Sequence, residues 1–488
     1  MACTTILVGK NATYDGSTLM ARNEDPGAGH FTEKKFTVIT PDQQPKKYVS
    51  VISKVEIDLP ENPMRYTAMP NALPGEGNWS AAGINAANVA MTATETLTSN
   101  PRVLGGDPLV KGGIGEEDMV TITLPYIHSA REGVLRLGSL LEQFGTYEIN
   151  GIGFQDVNEL WWFESIGGHH WMAKRVPDDE YIVAPNQQAI DYFDFVDAYT
   201  DKKNHLCCAD LKDFVVRCHL DRSVNAVSVS ENTEFDCRGA FGSRAESDRT
   251  YNTPRAWYML RYLSPKAYDW DGPQADYNPE SIDLPWSLTP DRKITAEDIK
   301  FVLSSYYQGT PYNPYGQHGD PTQRGIYRPI GINRTNFMSI TQLRPYASKE
   351  NMAVEWVAMG SNAFNEMVPV YTNVNAAPKY LETTGKLPST DSFYWTNRII
   401  GALADAHYPQ AIGAVERYQN GMACKNQEML CRFDKEFADQ KPADASAFLA
   451  DCNEKIAAEA RERTENALGE MVFIASCGMK NGFARSDA

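Results

Sequence analysis

Polar and apolar positions alternate from the third residue onward. In the run Cys3 to Val8, the side chains of Thr4, Ile6 and Val8 face one way and those of Cys3, Thr5 and Leu7 the other. This two-residue period predicts a half-buried strand. Asp15-Gly16 marks a turn, and the chain returns through Thr18-Leu19-Met20-Ala21 to Arg22-Asn23-Glu24-Asp25. A reversal centred between Tyr14 and Asp15-Gly16 places Asp25 opposite residues 3 to 6. Further along, Ser129 to Glu132 reads as a capping box. It opens a helix with Val134, Leu137, Leu141 and Phe144 on one face and Gly145 as its stop. Glu159 to Ser165 and His169 to Val176 read as a hairpin around Gly167-Gly168. Thr295 to Asp298 opens a helix through Ile299, Val302 and Leu303. Phe337 to Leu343, Met352 to Ala358 and Met367 to Thr372 read as strands. Beyond Pro442 the period becomes helical through Phe448, Cys452, Ile456 and Ala460. Hairpins interspersed with helices predict an α+β protein with mixed or antiparallel sheets.

The first hairpin also carries candidate chemistry. A thiol becomes a useful nucleophile once a base takes its proton. If Cys3 were the first residue, its own α-amine, with an ordinary pKa of about 7.7–8.0, could be that base. The returning strand brings a guanidinium, Arg22, and a carboxylate, Asp25, back beside it. Arg22 would favour the thiolate, and Asp25 would hold the ammonium form of the amine. An ordinary edge hairpin with surface charges accommodates the same residues.

Composition narrows the partners. The 488 residues are 42% hydrophobic, enough for a substantial core, and carry a net charge of −17. That charge excludes a duplex nucleic-acid binder, which needs a basic face. It suits small-molecule substrates. No apolar stretch reaches the roughly 18 residues of a membrane span. The start MACTTILVGK lacks a basic leader with an apolar core, so no signal peptide is expected. Nine cysteines without CxxC spacing make a poor disulfide framework and point to a reducing cytoplasm. No HExxH, zinc-type cysteine-histidine spacing or phosphate loop is present, so neither metal nor cofactor is expected. Strand alternation turns His169 and His170 to opposite faces. Cys207-Cys208, Cys218 and Cys237 read as buried structural thiols. The stretches 264–293 and 305–331, rich in Pro, Gly, Tyr, Asp and Asn, read as surface insertions or as loops that shape a site. Tyr306, Tyr307, Tyr312 and Tyr315 could wall a peptide pocket.

The run from Cys3 through the Asp15-Gly16 turn to Ala21-Arg22-Asn23-Glu24-Asp25 resembles the start of the dipeptidase A family of cysteine peptidases. These are N-terminal nucleophile hydrolases related to penicillin V acylases and bile salt hydrolases. Asn85 to Thr96 resembles the family's ATET segment, Ala184-Pro185-Asn186-Gln187 its asparagine-bearing strand end, and Asn252-Thr253-Pro254-Arg255 its late arginine motif. The matches run from residue 3 to about 375. The resemblance implies a four-layer αββα sandwich with inserted loops and C-terminal helices, with Cys3 at a strand start between the sheets. It implies a short propeptide (1–2), a hydrolase domain (3–420) and a helical extension packed on it (421–488).

The same resemblance implies a dipeptidase acting through a thioester acyl-enzyme. Cys3 is the nucleophile, Arg22 and Asp25 flank it, Asn186 donates to the oxyanion and Arg255 ties the network together. Glu95 is a candidate partner for a substrate's free amine, or an ordinary loop carboxylate. Short peptides are the expected partners, and a homo-oligomer is compatible with this reading. One departure is that Met1-Ala2, rather than Met1 alone, precedes Cys3, so the Ala2–Cys3 bond must be cleaved, with the Cys3 thiol itself as the expected agent. Two other functions fit: a penicillin V acylase or bile-salt-hydrolase-like amidase on the same scaffold, or a non-enzymatic protein resembling secernins.

Overall fold

A computed structural model describes residues 2–224 and 228–479, apart from the side chains of Ala2, Thr94 and Glu95. Among the described residues, two large antiparallel sheets organise the chain. The first has seven strands, from edge to edge Ser287–Leu288, Tyr181–Ala184, Ala2–Val8, Thr18–Asp25, Phe337–Leu343, Ala353–Met359 and Val368–Tyr371. The second has six: His205–Cys207, Trp171–Arg175, Leu160–Ser165, Ile149–Gln155, Ala90–Leu97 and Ala82–Ile84.

The strand Ala2–Val8 shows how the sheets are layered. Leu7 joins a core with Met20 and Trp162, between the two sheets. Ile6 and Val8 join a second core with Trp257, Leu260, Ile299 and Leu303, under helices Thr253–Leu263 and Ala296–Leu303. The alternation is as the sequence predicts, but the strand is buried on both faces, with every residue from Thr4 to Val8 at most 1% exposed. A central strand covered on both sides needs no solvent face. The sheets approach closely: a Cβ on Gly153 would lie 2.4 Å from Met20 Sδ, so a larger residue there would displace the Met20 side chain. Helices Glu116–Thr123 and Ala130–Phe144 cover the far side of the six-stranded sheet.

The hairpin register differs from the sequence expectation. Val8 pairs with Leu19, so the reversal centres between Thr13 and Tyr14, and Asp25 pairs with Ala2. Cys3 stands opposite Glu24 and Thr5 opposite Arg22. At this turn Thr13 bridges to Ile294 while its hydroxyl donates to Ser17 O at 2.7 Å.

The predicted helix starts are present. Ser129 Oγ accepts from Glu132 N at 3.2 Å, while Glu132 reaches back to His128 N at 2.6 Å. Gly145, at φ 69°, ends that helix. Thr295 and Asp298 cap each other's backbone N–H. At the C-terminal end, helices Tyr408–Gln440 and Ala445–Cys477 pack side by side, and Cys452, Ile456 and Ala460 are buried where the four-residue spacing places them. Residue 420 falls inside the first of these helices.

The stretches 264–293 and 305–331 are largely irregular. Tyr307 is buried and donates to Arg328 O at 2.7 Å. Tyr315 stacks on Tyr408 at 3.9 Å, and Tyr312 meets Trp257 and Tyr327 edge-on. These rings hold the second loop against the helices. No helix among the described residues is long and apolar enough to cross a membrane.

Candidate active site

Because Thr5 pairs with Arg22 and Cys3 with Glu24, the side chains of Cys3, Arg22 and Glu24 share the face turned toward the second sheet. Arg22 forks onto the sulfur: Nη2 lies 3.0 Å and Nε 3.3 Å from Cys3 Sγ. Its other donors reach Glu116 Oε1 at 2.5 Å and Ala81 O at 3.1 Å. Glu24 completes the group, 3.7 Å from Arg22 and 2.9 Å from Lys34 Nζ. Cys3, Arg22, Glu24 and Lys34 are all 0% exposed. Two cations thus face two carboxylates around one thiol, and a buried charge is tolerated when it is paired in this way. Burial works against the Arg22 charge, but the Cys3 sulfur, Glu116 and Glu24 outweigh it and raise its pKa. Lys34 is pushed down by burial, with Glu24 opposing.

Asp25 lies on the opposite face of its strand. Its carboxylate accepts from Arg328 Nη2 and Thr335 Oγ1, each at 2.5 Å. Its backbone pairs with Ala2, which sets it beside the peptide bond preceding Cys3.

Asn186 arrives from the other neighbouring strand. Thr5 pairs with Ala184, and extending that register by two residues brings residue 186 opposite residue 3. Arg255, in the first turn of helix Thr253–Leu263, joins these pieces. Its Nη1 donates to Thr4 Oγ1 at 2.8 Å and to the Cys3 carbonyl. Its Nη2 donates to Asn186 Oδ1 and Asn252 Oδ1, both at 2.6 Å, and Nε to Tyr251 O at 2.7 Å. Arg255 therefore holds the oxygen of the Asn186 amide and leaves Nδ2 as its donating end; that group reaches Thr96 O at 3.5 Å.

Of the sequence candidates, the structure brings Cys3, Arg22, Asn186 and Arg255 into one hydrogen-bonded group, with Asp25 on the adjoining face. The side chain of Glu95 lies outside the described residues. Sequence reasoning missed Glu116, Glu24, Lys34, Asn252 and Arg328. The run Glu116-Glu117-Asp118 starts a helix, where acidic residues ordinarily complement the dipole at the surface. Here all three are buried, and Tyr147 and Tyr48 donate to Glu117 and Asp118 at 2.6 and 2.7 Å.

The loop after Asn186 is held by a buried carboxyl from the second sheet. Glu164 Oε1 accepts from Ala189 N at 2.6 Å, Ile190 N at 3.2 Å and Trp162 Nε1 at 2.9 Å. Burial pushes its pKa up from 4.5 to about 7. The folded protein then binds a proton between these values that the unfolded chain has released, so this contribution to stability falls as pH rises from 4.5 to 7. The loss is about 3 kcal/mol. Glu164→Gln stays neutral throughout. Denaturant unfolding at several pH values should show the variant gaining on the parent by about that amount across the window, whereas a pH-independent difference would contradict the assignment.

With this geometry in view, comparison with known proteins identifies the family. The sequence model of peptidase family C69 matches residues 2–421. The chain belongs to peptidase family C69. It is 48% identical to a dipeptidase of Bifidobacterium longum (strain NCC 2705) and 49% identical to a probable dipeptidase A of Streptococcus pyogenes serotype M3, in both cases over 100% of each chain. It is 43% identical to dipeptidase A of Lactobacillus helveticus over 96% of each chain. A mutant conjugated bile acid hydrolase from Clostridium perfringens is a distant structural match. Its TM-score is 0.30, with 11% identity over 76% of this chain and 92% of that one, too remote to carry weight.

Proposed function

We propose that this chain is a cysteine-type dipeptidase that cleaves short peptides through Cys3, freed at its α-amine. The observation that carries the reading is the Arg22 fork on Cys3 Sγ, at 3.0 and 3.3 Å, inside a charge-balanced buried group. The amine takes the thiol proton, and the sulfur adds to the scissile carbonyl carbon. The oxyanion is met by Asn186 Nδ2, held in orientation by Arg255. Collapse breaks the C–N bond and passes the proton to the leaving amine. Water, deprotonated by the same α-amine, then hydrolyses the thioester.

Asp25 holds the ammonium form, supported by its place across from Ala2. Glu95 receives the substrate's ammonium group. Because Cys3 is fully buried and its nitrogen lies in a peptide bond, whatever precedes it must first be removed. To do this the Cys3 thiol adds to the Ala2 carbonyl, the Ala2–Cys3 C–N bond breaks as the proton passes to the freed α-amine, and water hydrolyses the thioester to release the preceding residues. The two facing sheets with helices outside each support a four-layer αββα sandwich of the N-terminal nucleophile type. The family match ending at residue 421 supports a hydrolase domain followed by a helical extension. The charge balance and thiol content suit a cytoplasmic enzyme.

A panel of dipeptides assayed beside penicillin V and a conjugated bile acid tests the substrate class. Dipeptides should be turned over at least a hundredfold faster. A preference for the amides would favour the acylase reading, and no turnover of either would favour a secernin-like role.

A further inference from the structure

Far along the second sheet from Cys3 in sequence, a cluster of ligating side chains plays no part in the proposed hydrolysis. His170 precedes strand Trp171–Arg175, Cys208 follows strand His205–Cys207, and Asp210 caps the approach to helix Leu211–Arg217. Pairing of the two strands brings residues 38 to 40 positions apart together. One ligand atom from each residue lies within 4.8 Å of the others.

The sequence expectation for the two histidines is corrected here. Both precede the strand and both turn onto one carboxylate. Asp107 Oδ2 accepts from His170 Nδ1 at 2.7 Å, and Asp107 Oδ1 lies 3.1 Å from His169 Nδ1. The backbone N–H groups of His169 and His170 also donate to Asp107, at 2.7 and 3.0 Å. An acceptor at Nδ1 places the proton there, and in the neutral ring this leaves a lone pair on Nε2. Phe214 stacks on the imidazole at 4.0 Å and fixes its plane. His170 is only 8% exposed, and Nε2 makes no hydrogen bond.

We propose that His170 Nε2, Cys208 Sγ and the Asp210 carboxylate form a site for a divalent cation of the zinc type, with Asp107 orienting the histidine from behind. The geometry suits it: Nε2 and Asp210 Oδ2 are 3.4 Å apart. Zinc bonds of about 2.0–2.2 Å at the tetrahedral angle put two such atoms about 3.4 Å from each other. A carboxylate–histidine–metal relay is the usual support for a histidine ligand. Three protein ligands leave the fourth position open, and the Asp210 side chain, 60% exposed, opens the site to water. The cation would pin the start of helix Leu211–Arg217 onto the sheet edge.

Titration of the full-length, metal-stripped protein with Co(II) tests this directly. The expected result is a thiolate-to-cobalt charge-transfer band that saturates at one equivalent and is bleached by Zn(II). Cys208→Ser should lose the band and Cys424→Ser, at an exposed thiol, should keep it. Asp210→Asn, a surface change that spares the fold, should weaken binding, and Asp107→Asn should weaken it about 10–100-fold. Retained dipeptide hydrolysis in each variant reports that the protein is folded. Absence of the band in the parent, or its persistence in Cys208→Ser, would overturn the proposal.

Discussion

Alanine at position 3 should reduce peptide hydrolysis to background, a loss on the order of a millionfold in kcat, as expected when the nucleophile of an acyl-transfer site is removed. The fold should survive. Cys3→Ala deletes one sulfur from the sheet interior, and Arg22 keeps Glu116 and the Ala81 carbonyl as partners. The stability cost should be near 1 kcal/mol, at the lower end for a small cavity. Cys3→Ser should recover little, because a hydroxyl in the same place is far harder to deprotonate than a thiol. Hydrolysis assays and thermal denaturation on the same preparations separate the two effects. A variant that is folded and still active would remove Cys3 from the mechanism.

The second large effect is expected at Arg255. This one guanidinium bonds the Cys3 carbonyl, Thr4, Asn186, Asn252 and the Tyr251 carbonyl. Arg255→Lys keeps the charge but replaces a rigid fork of five donors with one compact ammonium. It leaves buried acceptors unmet at about 1–3 kcal/mol each. Asn186 Oδ1 then loses the Arg255 bond that orients its amide, and loss of an aligned oxyanion donor costs about 10²–10³ in kcat. We expect that fall in kcat, with KM changed much less, together with a lower denaturation midpoint. An unchanged kcat in a destabilised protein would make Arg255 a purely structural residue.

Much of this arrangement was legible in the sequence because it is local. Ser129 and Gly145 bracket their helix by side-chain and backbone rules that act within four residues, and Thr295 with Asp298 does the same. The facing of Cys3 and Leu7 away from Ile6 and Val8 follows from strand geometry alone. Register was less accessible. The hairpin centre lies one position earlier than the sequence suggests, beside the Thr13 bridge to Ile294 some 280 residues away, and this sets Asp25 opposite Ala2 rather than opposite residues 3 to 6. The burial of Glu116 was equally hidden, since its partner Arg22 lies 94 positions away and its setting at a helix start looks like surface. Asn186 and Arg255 carried no local signal either. Each reads alone as a turn or surface residue, and only the family resemblance singled them out. Their meeting at Cys3 depends on the pairing of strands distant in sequence.

In the proposed mechanism the working nucleophile and its base belong to one residue, Cys3, with its α-amine freed from the peptide bond. Intact-mass analysis of the active protein, paired with N-terminal sequencing, tests it most directly. Active molecules should begin at Cys3, and Cys3→Ala should keep the residues before position 3. Full activity in molecules still carrying Ala2 would contradict it.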